Sequence, residues 1–120
     1  MDENTRPILV MMTAPDKSVA RKIADVLVEK KLAACVNISP NWTSVYRWKD
    51  EIQDDSEVLI LIKTTSGLFD DQLVPCIQEL HPYDLPEIIA LPILTGERNY
   101  LDWVIEEASG EEITPKTDDN

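Results

Sequence analysis

Four segments of the chain are apolar at nearly every position, so a strand formed by any of them presents apolar side chains on both faces. They are Ile8–Met12, Leu32–Ile38, Val58–Ile62 and Ile88–Leu94. A strand with one face in water alternates apolar and polar residues, whereas a strand covered on both faces is a continuous apolar run. The chain has only two long helical segments, enough to cover one face of a four-stranded sheet. The pattern therefore predicts a homo-oligomer with a functional site near subunit contacts, because a second copy of the chain is the simplest cover for the other face.

Helical and strand-like patterns alternate in the order β-α-β-β-α-β, followed by a short extra helix. This order is typical of an α+β ferredoxin-like sandwich. The predicted elements are strand Arg6–Thr13, a helix from Pro15–Asp16 to Lys30–Lys31, strand Leu32–Tyr46 bent at Pro40–Asn41, a hairpin tip at Arg47–Asp50, strand Glu51–Thr64, a helix opened by Ser66, strand Glu87–Leu94 and helix Glu97–Glu107.

Pro75 lies inside the second helical segment. An interior proline removes one backbone hydrogen bond and clashes with the preceding turn. We therefore expect either a kink at Pro75 or a helix that properly begins later than Ser66.

The length and charge of the chain indicate one acidic domain. It has 120 residues and a formal net charge of −12, without a basic stretch that alternates with aromatic residues. Nucleic-acid binding is therefore not expected. Six acidic residues between Glu106 and Asn120 stand against Lys116 alone, so we predict a single domain over residues 1–106 and an acidic, disordered tail over residues 107–120.

No feature of the sequence predicts export or membrane insertion. The first residues carry Asp2 and Glu3 without a following apolar core of a signal peptide, and no apolar run approaches the ~20 residues of a membrane helix. We expect a cytoplasmic protein in which Cys35 and Cys76 are reduced thiols.

Several catalytic patterns are missing. The three glycines are far apart, no Cys-x-x-Cys or His-x-x-His occurs, and His81 is the only histidine. A phosphate-binding glycine loop, a dedicated zinc site and a hydrolase triad are thus not expected. We predict that the chain is not an enzyme and requires no cofactor.

Soft metal ligands form one candidate site. Thiolate, thioether and imidazole groups favour copper or zinc, and the chain supplies them at Cys35, Cys76, Met12 and His81. Free cysteines and methionines are also common core residues. Core packing is therefore the simpler interpretation of each thiol.

Polar and aromatic residues form a second candidate site, an amphipathic cleft between subunits. The set comprises Ser44, Tyr46, Trp48, Glu57, Lys63, Tyr83, Glu87, Tyr100 and Trp103, with His81 held beside Tyr83 by Pro82. Such residues can bind a small ligand. They can equally stabilise subunit contacts, since Tyr and Trp are common interface residues.

Six motifs resemble those of the CutA divalent-cation-tolerance family, in order and over roughly residues 8–105. They are Thr13-Ala14-Pro15-Asp16, Glu29-Lys30-Lys31-Leu32-Ala33-Ala34-Cys35-Val36-Asn37, Ser44-x-Tyr46-x-Trp48, Ile62-Lys63-Thr64, His81-Pro82-Tyr83-Asp84-x-Pro86-Glu87-Ile88 and Tyr100-Leu101-x-Trp103. The resemblance implies a ferredoxin-like subunit in a tight homotrimer, similar in architecture to the PII signalling proteins. It also implies a link to tolerance of copper and other divalent metals.

The metal ligands match the family only in part. The resemblance implies that copper-associated members of the family have a cysteine at the position of Met12 and a second histidine at the position of Leu80. The resemblance therefore implies weak copper binding at most in this chain.

Three functions follow from these observations. The first is a cytoplasmic trimer that responds to metal ions, the second a PII-like module that binds a small ligand or partner in the inter-subunit cleft, and the third a rigid trimeric scaffold. In each case the expected main partner is the chain itself. An extensive trimer would also be unusually resistant to unfolding, because dissociation is then coupled to unfolding.

Overall fold

The computed structural model describes residues 5–111, which form one antiparallel sheet and three α-helices. The elements are β1 Pro7–Ala14, α1 Lys17–Glu29, β2 Cys35–Trp48, β3 Glu51–Thr65, α2 Val74–Leu80, β4 Ile88–Pro92 and α3 Arg98–Glu107. The strand order across the sheet is β2-β3-β1-β4, and every neighbouring pair is antiparallel. The predicted α+β class and the order of elements are therefore confirmed.

The first helix begins and ends where its sequence predicts. A side-chain oxygen of Asp16 accepts a hydrogen bond from the backbone N–H of Val19 at 2.8 Å, which satisfies one of the free donors of the first turn. Ile23 and Leu27 point into the core and are fully buried. The helix ends at Glu29 with Lys30 as its C-cap, and Lys31 has a positive φ of 59°.

The second helical segment is built in three pieces. Residues Ser66–Leu68 form a 3₁₀ turn, Phe69–Leu73 a π-helical turn and Val74–Leu80 the α-helix itself. Pro75 thus lies in the first turn of α2, where no hydrogen bond from its nitrogen is needed. This is the later start that was one of the two sequence-based expectations.

The ends of two strands differ from the prediction. β2 begins at Cys35 rather than Leu32, because the N–H groups of Leu32 and Ala33 instead donate to the carbonyl of Leu27 and close the end of α1. β4 is shorter than predicted and ends at Pro92, a residue that has no N–H to donate to a strand ladder.

The two faces of the sheet have different surroundings. On the helix side, Val10, Met12, Ile60 and Ile62 are 0% exposed and pack with the buried face of α1 and with α2. We call the opposite side the open face. It carries five large apolar side chains in neighbouring register positions, namely Leu9, Met11, Leu61, Ile89 and Leu91. Ile89 and Leu91 remain 49% and 41% exposed, so the described chain leaves this apolar surface largely uncovered.

The second and third strands extend beyond the sheet as a two-stranded arm. β1 pairs with β3 only over residues 58–65, so residues 42–57 have no third strand beside them. A bulge between Ser39 and Trp42 interrupts the ladder at the base of the arm, and Asn41 there has a φ of 62°. The bend predicted at Pro40–Asn41 is this bulge.

The C-terminal segment is ordered further than the predicted domain boundary. Ala108 is 2% exposed, and the N–H of Gly110 donates to the carbonyl of Lys31 at 2.9 Å. Gly110 has a φ of +85°, and a side chain there would meet Leu68 at 2.7 Å. Ala108 and Gly110, which belong to the predicted tail of residues 107–120, therefore contact the domain. Residues 112–120 of that tail lie outside the described residues.

Membrane crossing by a helix is not seen in the described part of the chain. Within residues 5–111, no helix combines the length and the apolar character that a membrane span needs.

Candidate functional site

A groove of about 500 Å³ lies between the arm and the segment of residues 81–87. Six of the nine predicted cleft residues line it, namely Ser44, Tyr46, Trp48, Glu57, Tyr83 and Glu87. Glu57 and Thr13 share the side of the sheet that carries Leu59 and Leu61, because side chains alternate along a strand. The groove is therefore the polar continuation of the open face.

Glu57 and Tyr83 form the floor of the groove. Glu57 is only 7% exposed, and its Oε2 accepts a hydrogen bond from the hydroxyl of Tyr83 at 2.8 Å. Burial, and then the hydrogen bond to Glu57, raise the pKa of Tyr83 far above its ordinary value of 10.0. The phenol is therefore a stable donor, and it connects the base of the arm to residues 81–87.

A second tyrosine–carboxylate pair lies on the arm. The hydroxyl of Tyr46 donates a hydrogen bond to Asp55, its diagonal neighbour across the arm. This bond is the main reason that the pKa of Tyr46 is raised. The pair fixes one aromatic wall of the groove.

The buried imidazole of His81 holds Tyr83 in place. His81 Nε2 lies 2.8 Å from the carbonyl oxygen of Thr13, and Nδ1 accepts a hydrogen bond from the N–H of Tyr83 at 3.2 Å. A carbonyl can only accept and a backbone N–H can only donate, so the ring is assigned as neutral with its proton on Nε2. Both nitrogens are thereby occupied. The rings of His81 and Tyr83 lie side by side, with 4.7 Å between their centroids.

The groove is strongly acidic. Glu57, Asp84 and Glu87 line it, and none of its lining residues is Lys, Arg or His. Trp48 and Tyr46, 43% and 41% exposed, add aromatic surface at its mouth. The arrangement offers carboxylates and aromatic faces to an occupant.

Sequence reasoning missed four residues of the groove. They are Thr13, Val45, Asp84 and Leu85. Asp84 and Leu85 lie between Pro82 and Pro86, a turn that could have been included with its neighbour Tyr83. Thr13 belongs to one of the six family motifs, but no sequence signal places Thr13 or Val45 at the groove, because they reach it only through the folding of β1 and of the arm.

The other three predicted cleft residues lie elsewhere. Lys63 Nζ donates to Asn37 Oδ1 at 2.8 Å and lies 5.8 Å from the ring centroid of Tyr100, and Tyr100 is 5.6 Å from Trp103, centroid to centroid. Lys63 follows Glu57 by six residues on the same strand, which places this cluster about 20 Å from the groove. Within one chain the predicted cleft is therefore two separate clusters.

The four candidate metal ligands do not converge. Met12 is 0% exposed on the helix side of β1. Cys35 is paired with Lys63 and shares the open face, whereas Cys76 packs against the helix-side core, where burial raises the pKa of its thiol. His81 has no free nitrogen.

These positions do not fit a preformed copper centre within one chain. Within residues 5–111, no group of three or more His, Cys, Asp or Glu side chains is arranged to hold a metal ion.

Comparisons with known proteins agree with one another. A family model described as "CutA1 divalent ion tolerance protein" matches residues 8–107. The chain is 53% identical to the divalent-cation tolerance protein CutA of Thermus thermophilus over 98 residues, which are 82% of this chain and 94% of that protein. It is 47% identical to the human protein CutA over 105 residues, which are 86% of this chain but only 58% of the human protein. The solved structure of the Thermus thermophilus divalent cation tolerance protein superposes with a TM-score of 0.82 at 51% identity, covering 84% of this chain and 97% of that one.

Proposed function

Because the chain belongs to the CutA1 divalent ion tolerance family, we propose that it acts in the response to divalent metal ions as a cytoplasmic homotrimer that binds rather than catalyses. The proposal for the cytoplasm is supported by two free, half-buried cysteines, as is usual in a reducing compartment.

The uncovered apolar surface is the observation that carries the proposed assembly. Leu9, Met11, Leu61, Ile89 and Leu91 form a continuous patch across three strands. Burial of apolar surface contributes roughly 25 cal/mol per Å², and large exposed apolar patches usually mark interaction sites. Three copies that share this face would also bring the cluster of Lys63, Tyr100 and Trp103 of one chain towards a neighbour. The groove continues the same face, so it is a candidate cleft between subunits.

Sedimentation of the full chain in dilute neutral buffer tests this assembly. We expect a single folded species of three times the 13.6 kDa chain mass. A well-folded 13.6 kDa species would contradict both the trimer and the shared cleft.

We propose that copper binding by this chain is weak and depends on the thiols rather than on His81. Cys35 and Cys76 keep part of their surface exposed, whereas both imidazole nitrogens are occupied. Titration calorimetry with Cu(I) should show weak binding that a Cys35→Ser/Cys76→Ser double variant loses and that Cys35→Ser alone reduces. Loss of binding in His81→Ala, at an unchanged melting temperature, would return the histidine to the site.

The physiological role is tested by growth in copper. A native-host strain without the gene should be more sensitive to copper salts, and the wild-type chain should restore growth. If growth is unchanged by deletion across copper, zinc and cadmium, the metal-response proposal is wrong.

A second candidate function is favoured by the groove itself. A PII-like module would bind a small ligand there, and the groove volume of about 500 Å³ lies within the usual range of small-molecule sites. The tyrosine–carboxylate pairs and His81 hold its walls in place without any ligand. Binding of a small molecule that protects Trp48 from a fluorescence quencher would support this function.

A further inference from the structure

We infer that residues 108–111 form a latch that holds α3 in position and, through α3, sets the shape of one end of the open face. The bonds of the latch lie within one chain. The inference rests on the proposed function only where it concerns the assembly of chains.

Two hydrogen bonds tie the latch to the core of the domain. The hydroxyl of Thr65, at the end of β3, donates to the carbonyl of Ala108 at 3.2 Å. The N–H of Gly110 donates to the carbonyl of Lys31 at 2.9 Å, directly beyond α1. Ala108 is also the C-cap of α3, so the C-terminal end of this helix is tied both to the sheet and to α1.

A third hydrogen bond ties the latch to the π-helical turn Phe69–Leu73. The N–H of Glu111 donates to Oε1 of Gln72 at 3.1 Å. Turns of this kind are rare, and they are frequent at functional sites. The latch therefore ends on a local irregularity of the backbone and not on a regular helix.

A cavity of about 470 Å³ lies between the latch and the start of this turn. Leu68 and Asp71 line one side of it, and Ala108 and Ser109 line the other. The latch does not press on packed side chains there, so its hydrogen bonds carry much of its attachment. A segment held in this way opens locally at a lower free energy than global unfolding requires.

Gly110 gives the latch its closed conformation. It is buried and has a φ of +85°, a left-handed conformation that residues with a side chain adopt only at a cost. A side chain there would also place its Cβ atom 2.7 Å from Leu68 Cδ2. A substitution at this position is therefore a selective way to open the latch.

The position of α3 depends on the latch. This helix has ten residues, too few for a stable isolated helix in water, and Val104 is the single one of them that is buried. Val104 packs in one cluster with Ala34, Leu68 and Ala108. Because Ala108 is the first residue of the latch, opening the latch removes part of the packing that holds α3.

α3 in turn forms one end of the open face. Lys63 is paired with Leu9 of that face, and its Nζ lies 5.8 Å from the ring centroid of Tyr100. Tyr100 and Trp103 remain 41% and 42% exposed. Movement of α3 therefore changes the surface that is offered to a second chain. By linkage, an assembly that favours one position of α3 favours the closed latch to the same extent.

Gly110→Ala in the full chain tests the link between the latch and α3. The left-handed backbone should shift the equilibrium of the latch towards the open state by about tenfold. Hydrogen exchange followed by mass spectrometry should show exchange in residues 98–107 accelerated by about the same factor, with exchange in α1 unchanged. Unchanged exchange in α3 would overturn the inference. So would equal acceleration in α1 and α3, because it reports global unfolding.

Gln72→Ala tests the same link without strain in the backbone. It removes the acceptor of the Glu111 N–H, and the loss of one hydrogen bond should accelerate exchange in α3 about fivefold. Gln78→Ala is the matched control, since Gln78 is exposed on α2 beyond the turn. Equal exchange in the two glutamine variants would contradict the latch.

The reverse direction tests the coupling to the open face. Tyr100→Ala should speed exchange of the Gly110 and Glu111 N–H groups, whereas Val28→Ala, at a position 46% exposed on α1, should not. In sedimentation over a dilution series, Gly110→Ala should dissociate at a protein concentration on the order of tenfold higher than the wild type. Faster exchange in α3 with an unchanged dissociation midpoint would overturn the coupling.

The proposed trimer can fail separately from the latch. If the wild type sediments as the 13.6 kDa chain at every concentration, the trimer is wrong. The exchange rates of Gly110→Ala, Gln72→Ala and Gln78→Ala then still decide whether the latch holds α3, because its bonds lie within one chain.

Discussion

The two faces of the sheet are built from alternate residues of the same strands, yet only one of them is covered. Met12 and Ile62 on the helix side are 0% exposed, whereas Ile89 and Leu91 on the open face are 49% and 41% exposed. Both faces are apolar, so hydrophobic content alone does not distinguish them. The helix side determines how one chain folds, and the open face determines what the folded chain associates with.

The largest effect should come from a charge placed on the open face. In the proposed trimer, the carboxylate of Leu61→Asp would lie among apolar side chains, and an unpaired buried charge costs several kcal/mol. We expect the assembly to dissociate to the 13.6 kDa chain or to aggregate, as sedimentation would show. Val28→Asp, at a position 46% exposed on α1, should keep the wild-type mass. A wild-type mass for Leu61→Asp would remove the distinction between the faces.

Truncation of a core residue should follow in size. Ile62→Ala removes a completely buried side chain on the helix side and should lower the free energy of unfolding by about 2–5 kcal/mol. Met11→Ala on the open face should have a smaller effect at dilutions where subunits separate, and an effect that grows with protein concentration. Urea denaturation over a range of concentrations measures both. Equal, concentration-independent losses would contradict the comparison.

The polar end of the open face should show its effect at alkaline pH. The folded pKa of Tyr83 is raised above the unfolded value of 10.0, so its contribution to stability is complete below pH 10 and is lost as the pH rises through the folded pKa. Tyr83→Phe should cost about 1–2 kcal/mol at pH 8. Its melting temperature should also fall less steeply above pH 10 than that of the wild type. Parallel alkaline profiles would show that the Glu57 bond contributes no stability.

The smallest effect is expected at α3. Glu97 caps this helix by accepting hydrogen bonds from the N–H groups of Asn99 and Tyr100, and these bonds lower the pKa of its carboxyl below the ordinary value of 4.5. The cap therefore stabilises α3 above that pH and is lost as the pH falls through the lower folded pKa. Glu97→Gln should speed amide exchange in α3 slightly at pH 6 and remove its acid dependence. Glu106→Gln, in the last turn, should retain the wild-type acid profile.

The apolar runs and the turn residues were sufficient to predict the element order, the arm and its bend. Local rules limited the second helix to two alternatives, a kink at Pro75 or a later start, because the constraint of Pro75 acts within one turn, and the structure has the later start. The pairing register of the strands and the contacts that depend on it could not be predicted in the same way. The contact between Glu57 and Tyr83, 26 residues apart, exists only after β1, β3 and the segment following α2 have packed.

The candidate site was predicted in composition but not in arrangement. Residue type alone suggested that Lys63, Tyr100 and Trp103 belong with the groove, whereas Lys63 lies six positions beyond Glu57 along the same extended strand. His81 was a candidate ligand because imidazole binds metals. Its burial and its two hydrogen bonds depend on contacts with Thr13 and Tyr83 in the folded chain. The spacing of residues in the sequence does not predict these contacts.

The arm of residues 42–57 also bears on how long an assembly lasts. A two-stranded ribbon alone in water is only marginally stable, and this one exposes Val45 and Ile52 by 67% and 63%. In the proposed trimer, an arm that packs on a neighbouring subunit would lose this support whenever its own subunit dissociates. Exchange of chains between assemblies should then be slow, and mixed populations of labelled and unlabelled protein should stay unmixed over many hours.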